Sequence, residues 1–416
     1  MKSLITSFLL FTMLSGLLNA QYVEIPDTTF LNALIDEGVD TNGDSLISTS
    51  EAEAITSLSV DSLNISDLIG IEAFVNLKKL DCHQNRLTSL DVSNNTALYN
   101  LYCNNNQLTN LDVSGCTALH SLVCYDNQLT SLDISNNTSL DWLICSVNQL
   151  TSLDVSNNTA LYFFGCNSNQ LTSLDVSNNT ALYSFNCNSN QLTSLDVSGC
   201  TALELLLCGG NQLTSLGVSN NSALWDLYCN SNQLTNLDVS GCTALRSLVC
   251  WDNQLTSLNI SNNTALRELN CSKNQLTSLD ISNNTSLYSL RITDIPSLYK
   301  VCVWEMPFPP AGVEVYKSGS PNVYFTTEGC SGTGIVEHNP TELLMFPNPA
   351  NDLLTIEVNE LGLNTIEITS LNGQLKYTTR IEGPTFQIDL SRFQKGVYFI
   401  TVRSKDYIST NKIIKL

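Results

Sequence analysis

Ten cysteines, at 82, 103, 124, 145, 166, 187, 208, 229, 250 and 271, stand 21 residues apart. Asparagines keep step at 85, 106, 127, 148, 169, 190, 211, 232, 253 and 274. A fixed period of about 20–50 residues marks a solenoid, because so short a unit cannot bury its inner face alone and must stack on its neighbours. In Leu101-Tyr102-Cys103, a period of two sends Leu and Cys inward and Tyr outward, as in a short strand. Stacked strands lie ~4.8 Å apart, so ten units make an arc of roughly 50 Å. The inward Asn of each turn is equipped to donate to, and accept from, the backbone of adjacent turns.

The second half of each unit repeats the first. Leu87, Leu90, Val92 and Asn95 keep the same spacing, and the Asn column continues Cys116, Asn137, Asn158, Asn179, Cys200, Asn221, Cys242, Asn263, Asn284. This pattern resembles the leucine-rich repeat family, L-x-x-L-x-L-x-x-N-x-L, with Cys at the third Leu, and within it the 21-residue bacterial subclass. The Asn/Cys exchange is one that family also shows. The expected fold is mainly β, a solenoid over residues 55–300 with short strands on both long faces. Helix on the convex side is disfavoured, because Ser-Asn-Asn-Thr prefers turns. No Cys-x-x-Cys occurs in the chain, so the zinc-ribbon spacing is missing. Stacked parallel side chains suit disulfide geometry poorly, which leaves the repeat cysteines as small buried hydrophobes.

The ends read differently. Met1-Lys2, an apolar run from Leu4 to Leu18 and a small residue at Ala20 describe a secretory signal peptide over 1–20, the alternative being a buried N-terminal helix. No other segment reads as a membrane span. Residues 21–76 hold eleven Asp/Glu and no Lys/Arg. Within the expected helical N-terminal cap, 21–54, Asp40, Asn42, Asp44, Leu46, Ser48 and Glu51 fall at positions 1, 3, 5, 7, 9 and 12 of a loop. That spacing wraps six to eight oxygens round one Ca²⁺, Leu46 giving its carbonyl and Glu51 two oxygens. It resembles EF-hand and dockerin-type loops, departing at Ser45 where those have Gly. The reading is a structural Ca²⁺ that offsets carboxylate repulsion; a solvated acidic turn without an ion is the alternative. The stretch 25–80 also resembles the N-terminal region of exported bacterial leucine-rich repeat proteins.

Residues 301–342 form a C-terminal cap and linker, in which Cys302 and Cys330 are expected to form a disulfide, since the chain is exported. Beyond them, Leu353–Val358, Thr365–Thr369, Phe386–Leu390 and Val397–Arg403 alternate apolar and polar between turn residues, the pattern of a small β-sandwich. Phe346-Pro347-Asn348-Pro349, Asn372-Gly373, Gly396-Val397-Tyr398 and Lys412-Ile413-Ile414-Lys415 resemble, in order, the C-terminal sorting domain of the type IX secretion system over 343–416. The resemblance implies contact with secretion machinery, passage across an outer membrane, removal of this domain and a secreted or outer-surface location in a Gram-negative bacterium.

Function is constrained by what the chain carries. A net charge of -21 excludes a non-specific grip on nucleic acid. Only three histidines occur, His83, His120 and His338. No phosphate loop, nucleophile elbow or zincin helix appears, so the chain reads as a non-enzyme. The second-half strand is nearly constant, whereas the outward positions of the first-half strand vary. Tyr102, Tyr125, Trp142, Ile144, Phe163, Tyr228 and Trp251 are therefore the expected ligand-binding residues, anchors for a protein or glycan partner. An outward Asp column (Asp91, Asp112, Asp133, Asp154, Asp175, Asp196, Asp238, Asp280) must be bonded to turn amides or bridged by cations. The expected function is binding or adhesion at the cell surface, with an unliganded surface scaffold or a polysaccharide-binding accessory role as alternatives.

Overall fold

The computed structural model describes residues 22–328, 344–346, 350–357, 363–371, 374–382, 385–403 and 408–416. The signal peptide, Cys330 and the linker expected from sequence lie outside them. The chain divides into two compact units, Met1–Gly332 and Thr333–Leu416.

In the first unit the 21-residue period becomes a parallel ladder. Thirteen three-residue strands, from Ser57–Ser59 and Lys79–Asp81 to Ser289–Arg291 and Glu314–Tyr316, form one sheet. The register keeps the period: Leu101 faces Leu122, Leu122 faces Leu143 and Leu206 faces Leu227. The middle residue is buried in twelve of the thirteen strands (Val315 in the last is half-buried), as is each repeat Cys, and most flanking positions are open to solvent, with Val123, Gly165, Ser184 and Ser247 buried. Phe164 and Phe185 take the Leu position on two adjacent turns and stack inside the core at 5.2 Å.

The opposite face is only partly strand. Ser89–Asp91 pairs with Asn110–Asp112, and Ser278–Asp280, Lys300–Cys302 and Tyr324–Thr326 make a three-stranded sheet. Between them the chain stacks with the same in–out alternation, but its only ladder contacts among the described residues are bridges from Gly217 to Asp196 and Asp238. Each of the eight carboxylates of the Asp column accepts from the amide of the Ser two residues on, at 2.9–3.0 Å, in the paired segments at Asp91, Asp112 and Asp280 as in the unpaired ones between them.

Two Asn columns hold the turns together, and they are not equivalent. Asn148 donates to the carbonyls of Cys124 and Cys145, both at 3.1 Å, and accepts from the Leu129 amide at 3.0 Å. The second column donates likewise, Asn158 to Ile134 and Asn137 at 3.1 and 2.9 Å, but its side-chain oxygens accept nothing from the protein. Where Cys replaces Asn there, the thiol donates to the same kind of carbonyl (Cys116 to Val92 at 3.1 Å) and no acceptor is left unpartnered.

One residue per turn sits in the left-handed region, from Gln84 through Asn105 and Asp126 to Asp294. Gly, Asn, Asp and Ser tolerate this; Val147, at φ 53°, does not. Val147→Asn is expected to raise stability by about 1 kcal/mol, given the ~1–2 kcal/mol cost of that region for ordinary residues. An unchanged or lower urea midpoint contradicts this.

The N-terminal end is sealed by helices Thr28–Asp36 and Thr49–Ala54. Asp27 caps the first through the Thr29 and Phe30 amides, and its other oxygen accepts from Ser66 and Asp67, tying the helix to the solenoid. At the other end, Trp304, Phe308 and Phe325 pack against the last turns.

The second unit has two antiparallel sheets. Leu344–Phe346, Leu353–Glu357 and Thr385–Asp389 form one; Leu375–Glu382, Leu363–Ser370, Gly396–Arg403 and Ile408–Lys415 form the other. Leu354, Ile356 and Ile388 of the first share a core with Ile366, Ile400 and Ile413 of the second. Lys415, 7% exposed, pairs with Asp352 at 3.1 Å.

Candidate binding face

The strand sheet carries the variable positions outward on a backbone whose turns from Asn85 to Asn274 are pinned by the Asn ladder. Near its N-terminal end, Tyr102, Tyr125, Trp142 and Ile144 line one open depression of about 780 Å³, together with Lys79 and His83. Four of the seven expected ligand-binding residues are thus gathered in one place. Phe163 adjoins them: its ring stacks on Trp142 at 4.1 Å and 7° between planes, because the register places the two directly opposite. Trp142 is 38% exposed, so the pair presents apolar surface to solvent. Tyr228 and Trp251 stand four or more turns further along, with Lys273 5.9 Å from the Trp251 ring centre. The variable face therefore holds two aromatic groups.

A third outward column escaped the sequence reading. Immediately before six of the thirteen strands stand Tyr99, His120, Tyr162, Tyr183, Trp225 and Tyr288. Tyr99 stacks on His120 at 4.1 Å, Tyr162 on Tyr183 at 4.9 Å, and Arg246 lies 4.4 Å over Trp225. Tyr162 is 48% and Tyr288 47% exposed. The signal was available in the same 21-residue spacing, one position ahead of the strand.

The constant face offers less chemistry. Hydrogen bonds from the Ser of each turn hold the carboxyls of Asp112, Asp133, Asp154, Asp175, Asp196 and Asp238 below the usual range, so no cation is required to keep them ionised. The repeat cysteines are free thiols, wholly buried, and burial pushes Cys145, Cys187 and Cys271 up to about 12. They behave as apolar core, inert as nucleophiles. Cys302 is disulfide-bonded, and its expected partner Cys330 lies outside the described residues.

In the acidic loop, the carboxylates bond loop amides. Asp40 accepts from Gly43 and Ser45, Asn42 from Asp44, and Asp44 from Leu46, at 2.7–2.9 Å. Glu51 accepts from the amides of Thr41 and Ser48 at 2.8 and 2.9 Å, and these bonds with the two hydroxyls hold its carboxyl at about 2. Ser45 adopts φ 66°, making the turn that glycine makes in the loops it resembles. The oxygen set suits Ca²⁺ in kind and number, while Asp44 also accepts from the Tyr22 hydroxyl at 3.0 Å.

Residues 344–416 match the secretion system C-terminal sorting domain, which implies export to the cell surface or beyond. Among the described residues no helix is long and apolar enough to cross a membrane. The chain is similar to InlJ from Listeria monocytogenes, whose functional domain includes a cysteine ladder: identity is 26%, coverage 95% of this chain and 100% of that one, and the TM-score 0.65. A leucine-rich repeat protein from Leptospira interrogans shares 24% identity over 67% of this chain and 75% of its own, with a TM-score of 0.57. An internalin from the same Listeria species shares 22% over 72% and 95%, at 0.53. These likenesses establish a leucine-rich repeat solenoid. No curated protein matches the chain.

Proposed function

We propose that this is a non-catalytic, exported leucine-rich repeat protein of a Gram-negative bacterium that binds a protein or glycan through its variable strand face. The observation that carries this reading is the asymmetry between faces. One side repeats Leu-Asp-Val-Ser nearly unchanged; the other changes at every turn and collects Tyr102, Tyr125, Trp142 and Phe163 around one depression. Rigid, pre-ordered aromatic surface costs little entropy on binding and supplies hot-spot anchors. The full chain, screened in Ca²⁺ against a glycan array and extracts of host and neighbouring cells, is expected to give a specific hit. Salt-insensitive binding of one protein, or binding competed by one sugar, then names the ligand class. Folded protein that binds nothing overturns the reading in favour of a surface scaffold.

The loop from Asp40 to Glu51 is, in the same proposal, a structural Ca²⁺ site that tightens the acidic cap. Ca²⁺ is expected to bind with a calorimetric signal lost in Asp40→Asn, and chelation is expected to lower the melting temperature. A silent titration with an unmoved melting temperature would remove the ion from the account.

A further inference from the structure

The first full turn departs from the repeat in a way the binding reading leaves unused. At the second outward strand position later turns carry Tyr102, Val123 and Ile144, and just past the buried Cys they carry Asn104, Tyr125 and Ser146. The first turn places Asp81 and His83 at these positions, and the turn before it places Asp61 beside His83. Backbone bonds from Val60 to Asp81, 2.8 Å, and from Ser62 to His83, 3.0 Å, lock the two turns together. His83 Nδ1 lies 2.6 Å from Asp81 Oδ1, and His83 Nε2 3.9 Å from Asp61 Oδ2. Ser59 orients Asp61 by donating to its other oxygen at 2.9 Å.

We propose that Asp61, Asp81 and His83 form a site for a divalent transition ion of the zinc type on the rim of the aromatic depression. One ligand atom from each residue lies within 4.8 Å of the others, the only such set of His, Cys, Asp or Glu atoms among the described residues. Ligands round a tetrahedral zinc lie about 3.4 Å apart, given bonds of about 2.1 Å. His83 offers one ring nitrogen to an ion, so the carboxylate that now meets the other nitrogen has to turn towards it, and all three side chains are partly exposed (34%, 38% and 18% for His83, Asp61 and Asp81) and free to turn. Two carboxylates and a neutral imidazole carry a charge of about -2, which a divalent ion neutralises, and one imidazole with two carboxylates suits zinc or manganese better than Ca²⁺. Three protein ligands leave a coordination position open. His83 and Asp81 both line the depression, so that position belongs to the same surface as Tyr102 and Trp142.

The test is titration of untagged full-length protein with ZnCl2 by calorimetry, and with Co²⁺ by visible absorption. The chain has only three histidines, so the imidazole NMR signals report independently which of them meets the metal. Wild type is expected to bind one equivalent at this site, with the His83 signals shifting and the Co²⁺ spectrum showing nitrogen–oxygen ligation. His83→Ala and Asp61→Asn are each expected to weaken that binding at least tenfold, while Glu51→Gln in the acidic loop leaves it unchanged. Asp61→Asn keeps the side-chain shape, and circular dichroism checks its fold. No zinc binding by folded wild type, or binding indifferent to both rim variants, overturns the site and leaves His83 as a bridge between two carboxylates. Because the readout is the metal alone, failure here leaves ligand recognition by the face standing.

Discussion

Asn148→Ala is expected to destabilise the solenoid by about 2–4 kcal/mol, whereas Asn158→Cys changes it by no more than about 1 kcal/mol. Both side chains are buried and both donate to two carbonyls across a turn. The difference lies in the oxygen. Removing Asn148 strands the buried Leu129 amide, which donates to it at 3.0 Å, and an unsatisfied buried donor costs about 1–3 kcal/mol before lost donor bonds and packing are added. The carbonyls of Cys124 and Cys145 keep partners in Asn127 and Asn169, which caps the loss. Asn158 strands nothing, because its oxygen is already without a partner, and a thiol replaces its donors as Cys116 does. Urea unfolding of the two variants compares them; equal losses would show that the two ladders are not distinguished by their acceptors.

The second large effect concerns four glycines of the second face: Gly115, Gly199 and Gly241, each of which precedes a Cys of that column, and Gly217, which stands in the Asp column. A Cβ on Gly115 would lie 1.8 Å from the Ser93 carbonyl oxygen, and on Gly241 1.7 Å from that of Ser219; on Gly199 the distance to Ser177 is 3.4 Å, and at Gly217 nothing lies within 4 Å. Gly115→Ala and Gly241→Ala therefore force backbone to move and are expected to cost about 3 kcal/mol or more. Gly199→Ala and Gly217→Ala are expected to cost little or to stabilise by about 0.5 kcal/mol, through the unfolded chain. Matched losses at all four positions would contradict the close approach. A two-residue bond closes all three Gly-Cys turns, Thr117 to Gly115, Thr201 to Gly199 and Thr243 to Gly241 at 2.9–3.0 Å, and the Asn-Asn turn from Ser222 to Asn220 at 3.1 Å, while in other Asn-Asn turns the first Asn donates to a Ser carbonyl of the turn before, as Asn136 does to Ser114 at 3.2 Å.

The sequence made the solenoid legible because one period fixed burial, register and the Asn ladder together: Cys103 and Asn106 each predict their own place and that of nine counterparts. Strand on the second face was not legible in the same way. Leu132 and Ile134 alternate in burial like a strand, yet their segment joins no ladder, because alternation reports which side chains are buried and not whether neighbouring backbones pair. At the face, Tyr102 and Trp142 stood out as strand residues, whereas Tyr99 and Tyr162 lie one position ahead of the strand and were passed over. The meeting of Asp61 with Asp81 and His83 was hidden because the turn carrying Asp61 is offset by 22 residues rather than 21 from the one above.

The most direct test of the account is one comparison. The full chain and its quadruple variant with Tyr102, Trp142, Tyr228 and Trp251 replaced by Ser are measured against the ligand identified in the screen. All four side chains face outward, so urea midpoint and circular dichroism are expected to stay close to wild type while affinity falls at least tenfold, about 1.4 kcal/mol. Undiminished binding by the folded variant would contradict the claim that the variable face is the recognition surface.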